Sequence, residues 1–205
     1  MTVKGALPRE EPVPVAVLDA CVLFQGRLTN LLLHLAEAKA FEPMWSDEIH
    51  AEWMRNLQSG MSVPLDKIQY RLGEMEKAFP AANVPPAPAL VAAVARMSRS
   101  AAQRKDAHVV ATAVMAKATV IVTHNIKDFA PHVLSHYGMV KVRPDPFCVG
   151  LLASHETQVL AGIRMHRVSL RKTPMSPDQY IDHLAGERLG MPRLAVALAP
   201  YGAFV

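Results

Sequence analysis

Four acids in this sequence stand where short apolar runs end or helical patterns begin. Asp19 follows VPVAVL, Glu52 lies inside an amphipathic segment, Asp106 precedes AHVVATAV, and Asp128 lies in the loop after TVIVT. Carboxylates are hard oxygen donors, and a few of them suffice for Mg²⁺ or Mn²⁺, which keeps several waters. Gathered without a cation they repel one another, so their clustering itself argues for a metal. An ion held there lowers the pKa of a water and offsets charge on a phosphodiester. A bare acidic pocket repels phosphate, so flanking cations are needed too. Arg27, Arg99, Arg104, Lys105 and Lys127 lie near the acids in sequence and can bind phosphate, although solvated surface charge needs no such role. His108 and His124 also flank the acids; a surface or supporting position explains them better than acid–base catalysis.

The elements that must position these groups follow from periodicity. Val13 to Leu18 reads as a buried strand feeding a loop at Asp19. Leu28, Leu31, Leu32 and Leu35 predict a helix from Arg27 to Lys39. Ser46, followed by Asp47 and Glu48, is an N-cap with first-turn acids, and the helix to Leu57 buries Ile49, Trp53 and Leu57. Further helices are expected over Pro64 to Phe79, Ala89 to Met97 and Asp106 to Ala118, then strands over Thr119 to Thr123 and Met139 to Val142. Strand–helix alternation of this kind favours a parallel sheet between helices. In an open sheet of that type ligands bind at the carboxyl ends of the strands, where strand order reverses, and Asp19 and Asp128 both follow strands.

The pattern divides the chain into a polar, Pro-punctuated leader (1–12), an α/β domain (13–144) and a helical extension (145–205) packed on the core or on a partner. The extension is expected to hold one long helix from Phe147 to Leu170, another after the Ser176-Pro177 cap, and a last turn over Leu194 to Leu198. Its acids fall on solvent-like helical positions.

The chain has 205 residues, 51% of them apolar but only 6% aromatic, so a core of Leu, Val, Ala and Met is expected. A net charge of +4 suits a polyanionic partner. Cys21 and Cys148 are the only cysteines, outside any CxxC spacing, which argues against a disulfide framework or zinc site and for a reducing cytoplasm. The first residues carry acids and prolines where a signal peptide needs an apolar stretch. No apolar run approaches the ~20 residues that span a bilayer.

Four segments taken in order, VLDACVL, WSDEIHAEWMRNL, KDAHVVATAVMAKA and VIVTHNIKDF, resemble the PIN-domain nucleases, most closely the VapC-like toxins of bacterial toxin–antitoxin systems. The resemblance covers Val13 to about Arg143. It implies a three-layer α/β/α fold with a central parallel sheet, and a metal-dependent endoribonuclease using Mg²⁺ or Mn²⁺ on an RNA substrate. It also implies a homodimer and a cognate antitoxin that inhibits it. Asp19, Glu52 and Asp106 match the family's three acids. Many members carry a fourth acid where this chain has Asn125, so Asp128 substitutes or Asn125 shares the position. Thr123 matches the hydroxyl at the strand end.

Three of the acids have a plainer explanation to set beside this. Asp19 could cap a turn, Glu52 could pair with Arg55, Asp106 could be an N-cap, and Glu48 competes with Glu52 one turn earlier. Two other functions compete: a catalytically degenerate PIN-fold module that binds RNA or protein, and a dinucleotide-binding enzyme, which the lack of a GxGxxG after the first strand disfavours.

Overall fold

The computed structural model describes residues 12–205. The expected leader falls almost wholly outside that range. In chain order the elements are β1 (Val15–Leu18), α1 (Ala20–Leu23), α2 (Gly26–Glu37), β2 (Glu42–Met44), α3 (Asp47–Met61), α4 (Leu65–Ala78), α5 (Pro88–Met97), α6 (Ala101–Lys105) and α7 (Ala107–Met115). There follow β3 (Val120–Val122), a 3₁₀ turn (Ile126–Asp128), α8 (Pro131–His136), β4 (Val140–Val142), α9 (Pro144–Ser154), α10 (Glu156–Ser169), α11 (Pro177–Ala185) and α12 (Pro192–Leu198).

The strands form one parallel sheet in the order β2-β1-β3-β4. Helices between successive strands return the chain to the same edge, the connection parallel pairing requires. Ala16, Val17 and Leu18 in β1, and Ile121 and Val122 in β3, are buried, as expected of strands covered on both faces. The order turns back between β1 and β3, so the crevice beyond their carboxyl ends lies at the switch point.

Two elements differ from expectation. β2 was not foreseen, because Glu42 and Pro43 read poorly as a strand. As an edge strand it pairs with β1 alone, so the missing N–H of Pro43 is tolerated. The single helix expected from Phe147 to Leu170 is two helices. His155 leaves the helical region (φ −135°, ψ 51°), and the Ser154 hydroxyl bonds back to the Gly150 carbonyl and to the His155 ring. The break lets α9 pack on α12 while α10 lies across α2.

That crossing is close. A Cβ built on Gly162 of α10 would stand 2.8 Å from the Leu35 Cα and 2.9 Å from the His34 carbonyl oxygen, both backbone atoms of α2. The tail acids nearby have structural work: the Asp145 carboxylate accepts from the Arg193 and Leu194 amides at the start of α12, and Glu156 accepts from the Tyr201 hydroxyl. Gly162→Ala tests the crossing. Helix propensity alone favours Ala by about 1 kcal/mol. Against backbone at this distance, overpacking is expected to win by about 1–3 kcal/mol, lowering the melting temperature by roughly 2–12 °C. A rise on thermal denaturation would mean that α10 does not lie this near α2.

Candidate metal centre

Asp19 is the first residue past β1, and its backbone amide reaches across to the Val122 carbonyl of β3. The carboxyl group is buried, yet it makes no cap bond to α1. Its Oδ2 instead accepts from the Thr123 hydroxyl at 2.6 Å and from the Cys21 thiol at 3.0 Å. Thr123 is fixed in turn by the Asn125 amide at 2.9 Å, and Cys21 by the His124 amide at 3.3 Å. Two donors on Oδ2 set the carboxylate's orientation, and among the described residues nothing donates to Oδ1. The turn explanation for Asp19 therefore does not hold.

Buried contacts hold α1 in place for this. Arg71 of α4 stacks over the Trp53 ring at 4.7 Å and donates to the Leu23 carbonyl, while the buried Thr29 hydroxyl reaches the Val22 and Leu23 carbonyls. These groups satisfy carbonyls that the end of a short helix leaves open. Burial lowers the Arg71 pKa to about 10.

Asp106 opens α7 as its N-cap, as expected, and also closes α6 (φ −89°, ψ 10°). It too makes no side-chain cap bond, although it is only 7% exposed. Glu52 comes from α3, whose start is fixed by the Ser46 hydroxyl accepting from the Ile49 amide. Its partner is not Arg55 but the Lys105 ammonium, at 2.5 Å. Glu48 is exposed, one turn away. The Glu52, Asp106 and His108 ligand atoms all lie within 4.8 Å of one another.

Electrostatics join the rest. Burial pushes the Asp106 pKa up to about 7, the Asp19, Glu52 and Asp128 charges push the same way, and Lys105 opposes them. Asp128, half-buried in the 3₁₀ turn beside α6, thus acts on Asp106 without joining the tightest group. Burial also raises the Cys21 thiol to about 12, with Asp19 adding to it, so the thiol stays a neutral donor. A buried carboxyl made reluctant to ionise by like charges, with an ammonium already drawn to the cluster, fits a divalent cation.

The basic residues divide. Arg104, Lys105 and Lys127 are exposed on α6 and the 3₁₀ turn beside the acids, and Arg99 is exposed just ahead of α6. Arg27 lies elsewhere: it lines a cavity of about 220 Å³ with Asn30, His166 and His183, and its charge acts on His183 of the tail. Two residues were missed or undervalued. His108 belongs to the tight group rather than to a surface position. Arg143 ends β4 and its charge lowers the pKa of His124, to which burial contributes more; the strand-end rule that selected Asp19 would have selected it.

The PIN domain family matches residues 15–127, more than half of the chain, and the VapC50 C-terminal domain matches residues 144–200. No curated protein and no solved structure matches it. Among the described residues no helix is long and apolar enough to cross a membrane.

A carboxyl whose folded pKa of about 7 exceeds its unfolded value of 3.8 binds more protons folded than unfolded between those pH values. Metal-free stability is therefore expected to fall as pH rises from about 4 to about 7. Asp106→Asn removes the charge and is expected to raise the metal-free melting temperature at about pH 8. Denaturation in chelator across this range checks both; a variant less stable than the parent at about pH 8 would contradict the electrostatic reading.

Proposed function

This chain belongs to the PIN-domain family, whose members are generally nucleases, and on that premise we propose that it is a metal-dependent endoribonuclease. The observation that supports the proposal is a tight group of Glu52 and Asp106 with His108, joined by the charge of Asp19 just past β1, which raises the pKa of Asp106, with neither aspartate engaged in side-chain capping. Those three carboxylates would hold Mg²⁺ or Mn²⁺, with Asp128 or the Asn125 carbonyl in the fourth position. The ion would supply an activated water and offset charge on the scissile phosphodiester.

The chain's own groups do the remainder. Thr123 and Cys21 orient Asp19. Lys105 pairs with Glu52, and with a cation bound to the carboxylates its ammonium would be available to an incoming phosphate. Arg104 on α6, Lys127 in the 3₁₀ turn and Arg143 just past β4 are exposed and would track the RNA backbone, which makes binding sensitive to salt. Arg27, set against the tail, is left out of that path.

The match of the tail to the VapC50 C-terminal domain supports the toxin half of a type II toxin–antitoxin pair acting in a bacterial cytoplasm, with an inhibitory antitoxin as partner and a homodimer as the assembly. Val168, Val196 and Phe204 on the tail are 62%, 77% and 64% exposed, which supports a protein partner on that side. The same match agrees with a boundary near Pro144 between a nuclease domain and a helical extension that braces it. A second reading, a degenerate module that binds without cutting, draws on Asn125 and on the Lys105–Glu52 pair, which already neutralises one acid.

RNA cleavage is expected to stop in EDTA and return with Mg²⁺ or Mn²⁺. Asp19→Asn, Asp106→Asn and Glu52→Gln are each expected to cut the rate by about a hundredfold or more. Glu48→Gln should cleave like the parent. Undiminished cleavage in chelator would sink the metal mechanism, and reversal of the two glutamate variants would move the site one turn along α3.

A further inference from the structure

The donors closest together are not all oxygens. His108 Nε2 lies 3.8 Å from Glu52 Oε2, and one donor atom from each of Glu52, Asp106 and His108 lies within 4.8 Å of the other two. Two donors bound to one ion at about 2.1 Å stand about 3–4.2 Å apart, so these three need only a small closure to share a cation. The His108 side chain is 16% exposed, and Nε2 is the ring atom that faces Glu52, while Nδ1 is buried with no hydrogen-bond partner among the described residues. His108 also sits on the first turn of α7, two residues beyond Asp106. One rigid element thus presents an oxygen and a nitrogen donor to the Glu52 carboxylate of α3.

We propose that His108 is a nitrogen ligand of the cation held by Glu52 and Asp106, and that it makes the site selective for Mn²⁺ over Mg²⁺. The proposal rests on the nuclease reading for the presence of a metal and departs from the carboxylate-only set the family resemblance implies. Mg²⁺ is held by oxygen and gives up its waters reluctantly; Mn²⁺ also favours oxygen donors but, as a first-row transition ion, accepts an imidazole nitrogen more readily than Mg²⁺ does. A mixed Glu–Asp–His set therefore gains affinity for Mn²⁺ from a donor that adds little for Mg²⁺. Lys105 pairs with Oε1 of Glu52, which leaves Oε2, the oxygen facing His108, to the ion.

The test uses the full chain with Mn²⁺ alone as the probe. Pulsed electron paramagnetic resonance of the bound ion is expected to show coupling to a directly ligated ¹⁴N. His108→Ala should abolish that coupling and His124→Ala should retain it. By calorimetry the wild-type chain should prefer Mn²⁺ to Mg²⁺, and His108→Ala should weaken Mn²⁺ by at least about tenfold while changing Mg²⁺ much less. Circular dichroism checks that the variants fold, with His108→Asn as the closer-shaped second substitution. Bound Mn²⁺ without nitrogen coupling, or coupling that survives in His108→Ala, would overturn the proposal while leaving the nuclease reading standing. No Mn²⁺ binding by the wild-type chain would overturn both.

Discussion

The burial of Asp19 and Asp106 next to further carboxylates is the constraint around which the site of this molecule is built. Asp19 and Asp106 are almost fully buried, and Glu52 and Asp128 lie close enough to raise the pKa of Asp106. Burying charge without a partner is costly, and like charges add to the cost. The fold nevertheless leaves both aspartates out of the caps that would explain them, and one glutamate borrows a largely solvent-exposed lysine. Strain of this kind persists at functional sites because the surrounding structure supplies the stability.

That stability comes from elements remote from the acids. β1 and β3 pair directly, so Asp19 and Thr123 leave neighbouring strand ends and meet across the crevice. Arg71 and Thr29 hold the short α1, and α7 brings Asp106 and His108 to α3 from the other side. Behind α2 the tail closes the core: Gly162 permits an approach no larger residue would allow, and a buried His166–Tyr180 hydrogen bond of 2.6 Å ties α10 to α11. The tail therefore bears on the site through α2, which follows α1 and Asp19 directly in the chain.

Local rules made much of this visible in the sequence. The apolar runs of β1 and β3, the Ser46 cap and the Ser176-Pro177 start of α11, which forms a full capping box, follow from chemistry within a few residues. What stayed hidden depends on distant contacts. Pro43 sits in a strand because β2 lies at the sheet's edge, paired among the described strands with β1, and the turn at His155 serves a helix crossing whose other half lies over a hundred residues earlier in the chain. Arg71 is a charged residue turned inward against Trp53, which pattern reading assigns to the surface. His108 joins the acids only because α3 and α7 meet, and no spacing within either segment announces that.

The most direct test of a cation-dependent acidic cluster is calorimetric titration of the full chain with Mn²⁺ at about pH 6 and about pH 8, in buffers of different ionisation enthalpy. Asp106 must lose its proton to ligate, so binding is expected to be tighter at the higher pH and to release close to one proton at the lower. Absence of binding at either pH, or binding that neither releases protons at about pH 6 nor tightens with pH, would contradict the account.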